Sequence, residues 1–282
     1  MPHNLTTKQF KVGCTLDYVV SGPSAFIFNV SVVDNQFQRI LSESFSTDPQ
    51  YPVEEVRSPI EDKRHHRLSA EAGSLRVSYS ATVELTHEHQ PPDDVPEMPP
   101  GLLPADVVPY LYPSRYCESD KLIRMAQKEF GKLQPGFSRV TAICNWIYEN
   151  VEYLRGSTDP RTSAYDTVTE RAGVCRDFAH LGIAFCRSLS IPARFVSGYA
   201  FSLEPPDFHA YFEAYLGAHW YIFDATRLAP QTGLIRIGTG RDAADTSFAT
   251  IFGPVTFGDM KVTMESMDNE PPSYALDAIS TS

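Results

Sequence analysis

The sequence predicts an α+β protein, in which an N-terminal antiparallel, sandwich-like β part precedes a core of helices packed on a second antiparallel sheet. Three observations carry that expectation. Apolar residues alternate with period two in short segments before residue 90, prolines crowd residues 91–114, and helical periodicity follows before strands return. With 282 residues, 42% hydrophobic and 12% aromatic, the chain is long enough for two units with their own cores.

In SAFIFNVSVV, Phe26, Phe28, Val30 and Val32 alternate with smaller or polar neighbours. In SLRVSYSATVEL, Leu75, Val77 and Tyr79 share a face that Val83 and Leu85 continue. Such alternation suits antiparallel sheets with one buried face, and residues 1–90 are assigned to an N-terminal β domain. The HHR cluster, His65 to Arg67, is expected in an exposed loop or at a sheet edge. PPDDVPEMPPGLLPADVVPYLYPS, residues 91–114, holds eight of the 22 prolines and is expected to form an extended linker. Residues 115–282 then make the second domain. CESDKLIRMAQKEFG predicts a helix ending at Gly131. FSRVTAICNWIYENVEY predicts another, capped by Ser138, with an apolar stripe of Val140, Ile143, Cys144 and Ile147.

A net charge of −11 opposes a nucleic-acid or anionic-membrane partner, since both need a basic face. The N-terminus lacks a signal-peptide pattern, and no run approaches the about 18 apolar residues of a membrane span. Cys14, Cys117, Cys144, Cys175 and Cys186 are an odd, scattered set without framework spacing. They are expected as free thiols in a reducing cytoplasm.

GVCRDFAHLGIAFC places Cys175 in the first turn of a predicted helix running to about Leu189, which Pro192 ends. Unpaired backbone N–H groups and the helix dipole stabilise an anion there, which is what a nucleophilic thiolate requires. Gly173 is expected to let the backbone turn and to leave room for an incoming carbonyl. Cys186 lies eleven residues on, about 16 Å along a continuous helix, so Cys175, His180 and Cys186 cannot share a metal. Cys186 reads as core. No metal site and no cofactor are expected.

Further along, HAYFEAYL and HWYIFDAT alternate as two strands joined at Gly217-Ala218. A two-residue loop pairs Leu216 with His219 and Tyr211 with Asp224. His209 and Asp224 then share a face as diagonal neighbours, roughly 7–8 Å apart at their backbones. A thiol at a helix start, a histidine on one strand and an aspartate on the next is the donor set of nucleophilic cysteine catalysis. On spacing alone, ordinary hairpin residues explain His209 and Asp224 equally well.

GVCRDFAHLGIAFCRSLSIPARFVSGY, HAYFEAYL and HWYIFDAT resemble, over roughly residues 135–230, the core of the transglutaminase-like superfamily, which includes transglutaminases, cysteine proteases and peptide-N-glycanases. The resemblance implies a papain-like, transglutaminase-like core with the nucleophile helix on an antiparallel sheet. It gives Cys175, His209 and Asp224 the roles of nucleophile, base and orienting acid. The whole chain also resembles a bacterial subgroup of transglutaminase-like cysteine proteases, including RIGTGRDAADTSFATIFG at residues 236–253. Two departures are Tyr211 for the usual tryptophan and Ala225 for the usual proline.

Tyr153 or Trp146 is a candidate oxyanion donor beside the Cys175 N–H, Asp177 a helix cap or organiser of the site, and Tyr211 a wall beside His209. Arg236, Arg241, Asp242 and Asp245 are expected either to line the cleft or to form a buried ion network. The resemblance implies acyl chemistry on a peptide or protein amide, with hydrolysis favoured. Amine transfer, as in a transglutaminase, and a non-catalytic peptide-binding scaffold are the alternatives. Oligomeric state is not legible in the sequence.

Overall fold

Period-two alternation builds most of the N-terminal part. The computed structural model describes residues 4–58 and 63–282. Its first strands are β1 (Asn4–Val20), β2 (Ser24–Phe28), β3 (Gln38–Asp48), β4 (Glu54–Arg57), β5 (Arg64–Ala70) and β6 (Gly73–Gln90). β1 pairs antiparallel with β6 from Asn4↔His89 to Val20↔Gly73. Their buried faces present Phe10, Val12, Leu16 and Tyr18 from β1, and Leu75, Val77, Tyr79 and Val83 from β6. Phe26 and Phe28 of β2 pack against this layer, with Tyr18 edge-on to Phe26 at 5.5 Å. A sandwich core results, as the alternation predicts. Val30 and Val32 are buried but lie beyond the end of β2.

The HHR cluster departs from expectation. It lies within β5, which pairs with β2 on one side and β4 on the other, so it is neither loop nor edge. His66 stacks on Phe45 at 4.1 Å and contacts the Ser31 hydroxyl at 2.7 Å, which satisfies its buried ring.

Residues 91–114 are not simply extended. Short 3-10 turns occupy Pro92–Asp94, Pro100–Leu102 and Val108–Leu111, each with proline in its first two positions, where a fixed φ and a missing N–H cost nothing. Val95, Val107 and Tyr110 of this segment are buried. Glu97 accepts two bonds from Arg139, at 2.8 and 2.7 Å, and ties the segment to the helices.

The remaining elements follow as α1 (Ser119–Phe130), α2 (Phe137–Asn150), β7 (Glu152–Tyr153), α3 (Ala164–Glu170), β8 (Ala172–Gly173), α4 (Cys175–Ser188), β9 (Ala193–Ala200), β10 (Phe208–Leu216), β11 (His219–Phe223), β12 (Leu234–Gly240), β13 (Ala249–Phe252), β14 (Val255–Ser266) and β15 (Ala278–Ser280). α1 stops at Gly131 as predicted. At the start of α2 the capping position belongs to Gly136 rather than Ser138, which sits inside the first turn. Gly136 takes φ 134° because the Phe137 N–H must reach the Val95 carbonyl, 3.0 Å away.

Among the described residues one sheet runs in the order β12-β9-β10-β11-β15-β6-β1-β14, with β3 also on β6. A second sheet runs β13-β2-β5-β4. β13 and β14 therefore complete the two N-terminal sheets with strands from the far end of the chain, and β15 bridges β11 to β6. The helices pack on the β9-β10-β11 portion. α4 lies directly against β10, and residues 177–188 of that helix are all buried. Gly182 allows the approach, since a Cβ there would overlap the Phe212 ring.

This close packing is testable. Gly182→Val is expected to destabilise the fold by about 1–3 kcal/mol through overpacking, measured as a lower urea midpoint with unchanged m-value. An unchanged midpoint would show that α4 does not depend on that contact.

Candidate active site

Cys175 is the first residue of α4, preceded by Val174 in extended conformation, and its side chain is half-buried. The helix start is held by Asp177, which is fully buried. Its Oδ2 accepts from the Val174 N–H at 2.9 Å and from the Thr158 hydroxyl at 2.8 Å. Its Oδ1 accepts from Arg176 Nη2 at 2.9 Å. Asp177 thus caps the helix and anchors the loop before α3. Gly173 serves that cap: a Cβ at this position would lie 2.8 Å from the Asp177 Cβ. The backbone turn expected of it is not the reason for the glycine.

His209 and Asp224 come together through the hairpin register. Leu216 pairs with His219 and Phe212 with Phe223, across a turn in which Gly217 (φ 53°) and Ala218 (φ 71°) are both left-handed. Tyr211 therefore lies opposite Asp224, and His209 diagonal to it. His209 Nε2 contacts Asp224 Oδ2 at 2.8 Å, with His209 only 1% exposed. Asp224 Oδ1 accepts from the Thr226 N–H at 2.9 Å and its hydroxyl at 2.7 Å, which fixes the carboxylate. Thr226 is a positioning residue that the sequence reading did not single out, although it ends the DAT triplet.

Burial alone would lower the His209 pKa. The charge and hydrogen bond of Asp224, followed by interaction with the Cys175 thiol, override burial and push it up to about 10. Its Nδ1 is buried and makes no full hydrogen bond among the described residues. With Nε2 committed to Asp224, Nδ1 is the nitrogen left to exchange a proton with sulfur. The Asp224 carboxylate thus favours the protonated ring beside Cys175.

Tyr153, on β7, reaches the same place. Burial and then the charge of Cys175 push its phenol up to about 12, and its hydroxyl interacts with both the backbone and the side chain of Cys175. β7 is placed by parallel pairing with β8, immediately before α4. Trp146 is elsewhere. It packs edge-on to Phe130 and Phe185 at 6.2 and 5.4 Å, in the helical core. Tyr211 is 1% exposed, with its ring 6.5 Å from that of His209 and nearly parallel to it.

The C-terminal charges do not form one network. Arg236 pairs with the buried Glu213, which also binds Arg194 at 2.6 Å. Arg236 also donates to the Thr281 carbonyl at 3.2 Å. Burial opposes ionisation of Glu213, and the two arginines overcome it and lower its pKa. Arg241 pairs with Asp245 at 3.0 Å near the surface. Asp242 caps the short turn Ala243–Asp245 and accepts from the Tyr116 N–H at 2.9 Å. His180 accepts from the Ala243 N–H at 3.1 Å, and burial lowers its pKa well below the usual value. Burial pushes the Cys186 thiol well up, as befits core.

A cleft of about 320 Å³ opens at Cys175 and His209. Ser197 of β9, Phe208 of β10 and Phe248 before β13 line it, with Tyr116 on another side. These residues, apart from the neighbour of His209, lie far from the triad in sequence. No local pattern marks them.

Residues 124–225 match the family model of the transglutaminase-like superfamily, and residues 8–97 match the bacterial transglutaminase N-terminal domain. A crystal structure from Cytophaga hutchinsonii described as a "putative cysteine protease" is 47% identical, covers 99% of this chain and 100% of that one, and has a TM-score of 0.95. An uncharacterized protein of Mycobacterium leprae is 31% identical over 147 residues, 48% of this chain and 51% of that protein. One of Mycobacterium tuberculosis H37Rv is 29% identical over 143 residues, 45% of each. The chain spans about half the length of these curated relatives. The likenesses support cysteine-based catalysis in general.

The His209–Asp224 contact has a measurable consequence. His209 is raised above its unfolded value of about 6.5. Its protonation therefore stabilises the fold fully below that pH, and this contribution is lost as pH rises through about 10. In Asp224→Asn, burial remains without the carboxylate. The imidazole followed by NMR should then titrate below pH 7, instead of staying protonated beyond pH 9. Identical titrations in the two proteins would contradict this origin of the shift.

Proposed function

Because the chain belongs to the transglutaminase-like superfamily, we propose that Cys175, His209 and Asp224 form a catalytic triad that hydrolyses amide bonds in a peptide or protein through an acyl-enzyme. The observation that carries this reading is the buried His209–Asp224 contact at 2.8 Å, with the ring in interaction with a thiol at a helix start.

With the thiol proton already resting on Nδ1 of His209 as a thiolate–imidazolium pair, Sγ attacks the amide carbonyl carbon. Negative charge moves to the carbonyl oxygen, which in this proposal meets the Cys175 N–H and the Tyr153 hydroxyl, two groups that interact with each other in the free protein. The carbon–nitrogen bond breaks as His209 delivers its proton to the leaving amine, which leaves a thioester on Sγ. Water then adds to the thioester as His209 removes its proton. Collapse of that intermediate releases a carboxylic acid and returns the proton to the thiolate–imidazolium pair. Asp224 holds the ring throughout.

Water as the acceptor is supported by the exposed rim of the cleft at Pro160 and Ser247, and by the description of the Cytophaga structure. A primary amine in place of water would make the same thioester an amide, which is the transglutaminase outcome.

Cys175→Ala should lose about 10⁴-fold or more in kcat/KM on a peptide-amide library. Tyr153→Phe should lower kcat by about 10²-fold. Cleavage should proceed at the same rate with and without added primary amine. Wild-type activity in Cys175→Ala would remove the nucleophile. Incorporation of amine in place of hydrolysis would establish transfer, and a protein inert toward every amide would favour a peptide-binding scaffold.

A further inference from the structure

We infer that the cleft beside Cys175 selects an apolar side chain, aromatic or long aliphatic, flanking the attacked amide, and that Phe248 is the residue that sets this preference. The inference rests on the acyl chemistry proposed above and adds the substrate class.

The floor of the cleft comes from the sheet. Phe195 and Ser197 of β9 lie opposite Phe212 and Ala210 of β10, and Phe208 shares the parity of those two, so Phe195, Ser197 and Phe208 present one face. Phe195 and Phe208 are 3% and 5% exposed, so both are set rigidly. Phe248 stacks on Phe208 with ring centroids 4.1 Å apart and planes 18° from parallel. It is partly exposed, which leaves a ring edge for an occupant. On another side, Tyr116 is held by its N–H to Asp242 and stacks on His180 at 5.1 Å. The cleft is thus walled by aromatic rings that are themselves packed against fixed neighbours.

Size and charge narrow the occupant. A cavity of about 150 Å³ lined by apolar side chains holds benzene. A cleft of about 320 Å³ therefore takes an aromatic side chain together with adjoining backbone. Among the described residues no carboxylate lines it, so a lysine or arginine side chain would meet no counter-charge from them. Arg176, at the rim, is held in an ion pair and offers a cationic side chain no acceptor. Its own donors reach the Asp177 carboxylate and the Asp159 carbonyl at 2.9 and 2.8 Å. Phe248 reaches this wall from the segment leading to β13, so the C-terminal return of the chain to the N-terminal sheets also shapes the cleft.

The test is a positional-scanning peptide library, varied on both sides of the amide, read as kcat/KM for wild type, Phe248→Ala and Phe248→Leu. Wild type should favour phenylalanine or leucine over lysine by at least about tenfold at one flanking position. Phe248→Ala should reduce that ratio about tenfold, and Phe248→Leu should retain most of it with an unchanged unfolding midpoint. Loss of kcat/KM equally on all peptides in Phe248→Ala would assign Phe248 a purely structural role and overturn the inference, as would a flat wild-type profile. Fluorescence anisotropy of the same peptides on Cys175→Ala separates this from the chemistry. Apolar preference in binding without any wild-type cleavage would sink the proposed reaction and leave the pocket assignment standing. Cleavage without preference would do the reverse.

Discussion

The seat of α4 on β10 is the contact on which the site depends. Sγ of Cys175 is carried by a helix whose last twelve residues are buried, and His209 by the strand that this helix covers. Because Gly182 lies under the Phe212 ring, the helix cannot shift toward or away from the sheet without either overlap or a void. Thiol and imidazole are therefore placed by packing rather than by a bond between them. Asp177 then fixes the end of the helix, and the hairpin turn at Gly217-Ala218 fixes the partner of His209.

Charges buried in this layer are held in specific arrangements. His209 has Asp224, Asp224 has Thr226, and Glu213 has two arginines. Each partner offsets part of the cost of an isolated ion in low dielectric. His209 and Glu213 lie on the same side of β10 by parity, with Tyr211 between them. One strand thus carries the catalytic candidate and, two residues further on each time, an aromatic spacer and a structural anion. Arg236 ties that anion to the C-terminal tail, so the end of the chain is pinned behind the site.

Local signals were legible in the sequence where a single element decides the outcome. The helix start at Cys175, the stop at Gly131, the parity of the first strands and the two-residue hairpin loop follow from side-chain type and spacing over a few residues. Contacts made between distant segments left no such trace. Nothing in ATIF or the strand after it shows that it closes the N-terminal sheets, since alternation records a buried face but not its partner. His66 looks polar in sequence, yet its ring is satisfied by Phe45 and Ser31, so it sits inside a sheet. Proline density marked residues 91–114 as non-repetitive without revealing that Glu97 anchors them. The cleft walls were illegible for the same reason: Tyr116, Phe195 and Phe248 meet only in the fold.

On the proposed chemistry, Cys175 is a reactive thiol because it sits beside an imidazole held by a carboxylate. The most direct measurement is the rate of Cys175 alkylation by iodoacetamide at pH 6–7, located by mass spectrometry, in wild type and in His209→Ala. Wild type should react at least about tenfold faster, because only a thiolate is nucleophilic and a neighbouring imidazolium favours that form. Equal rates in the two proteins would show that His209 does not activate the sulfur.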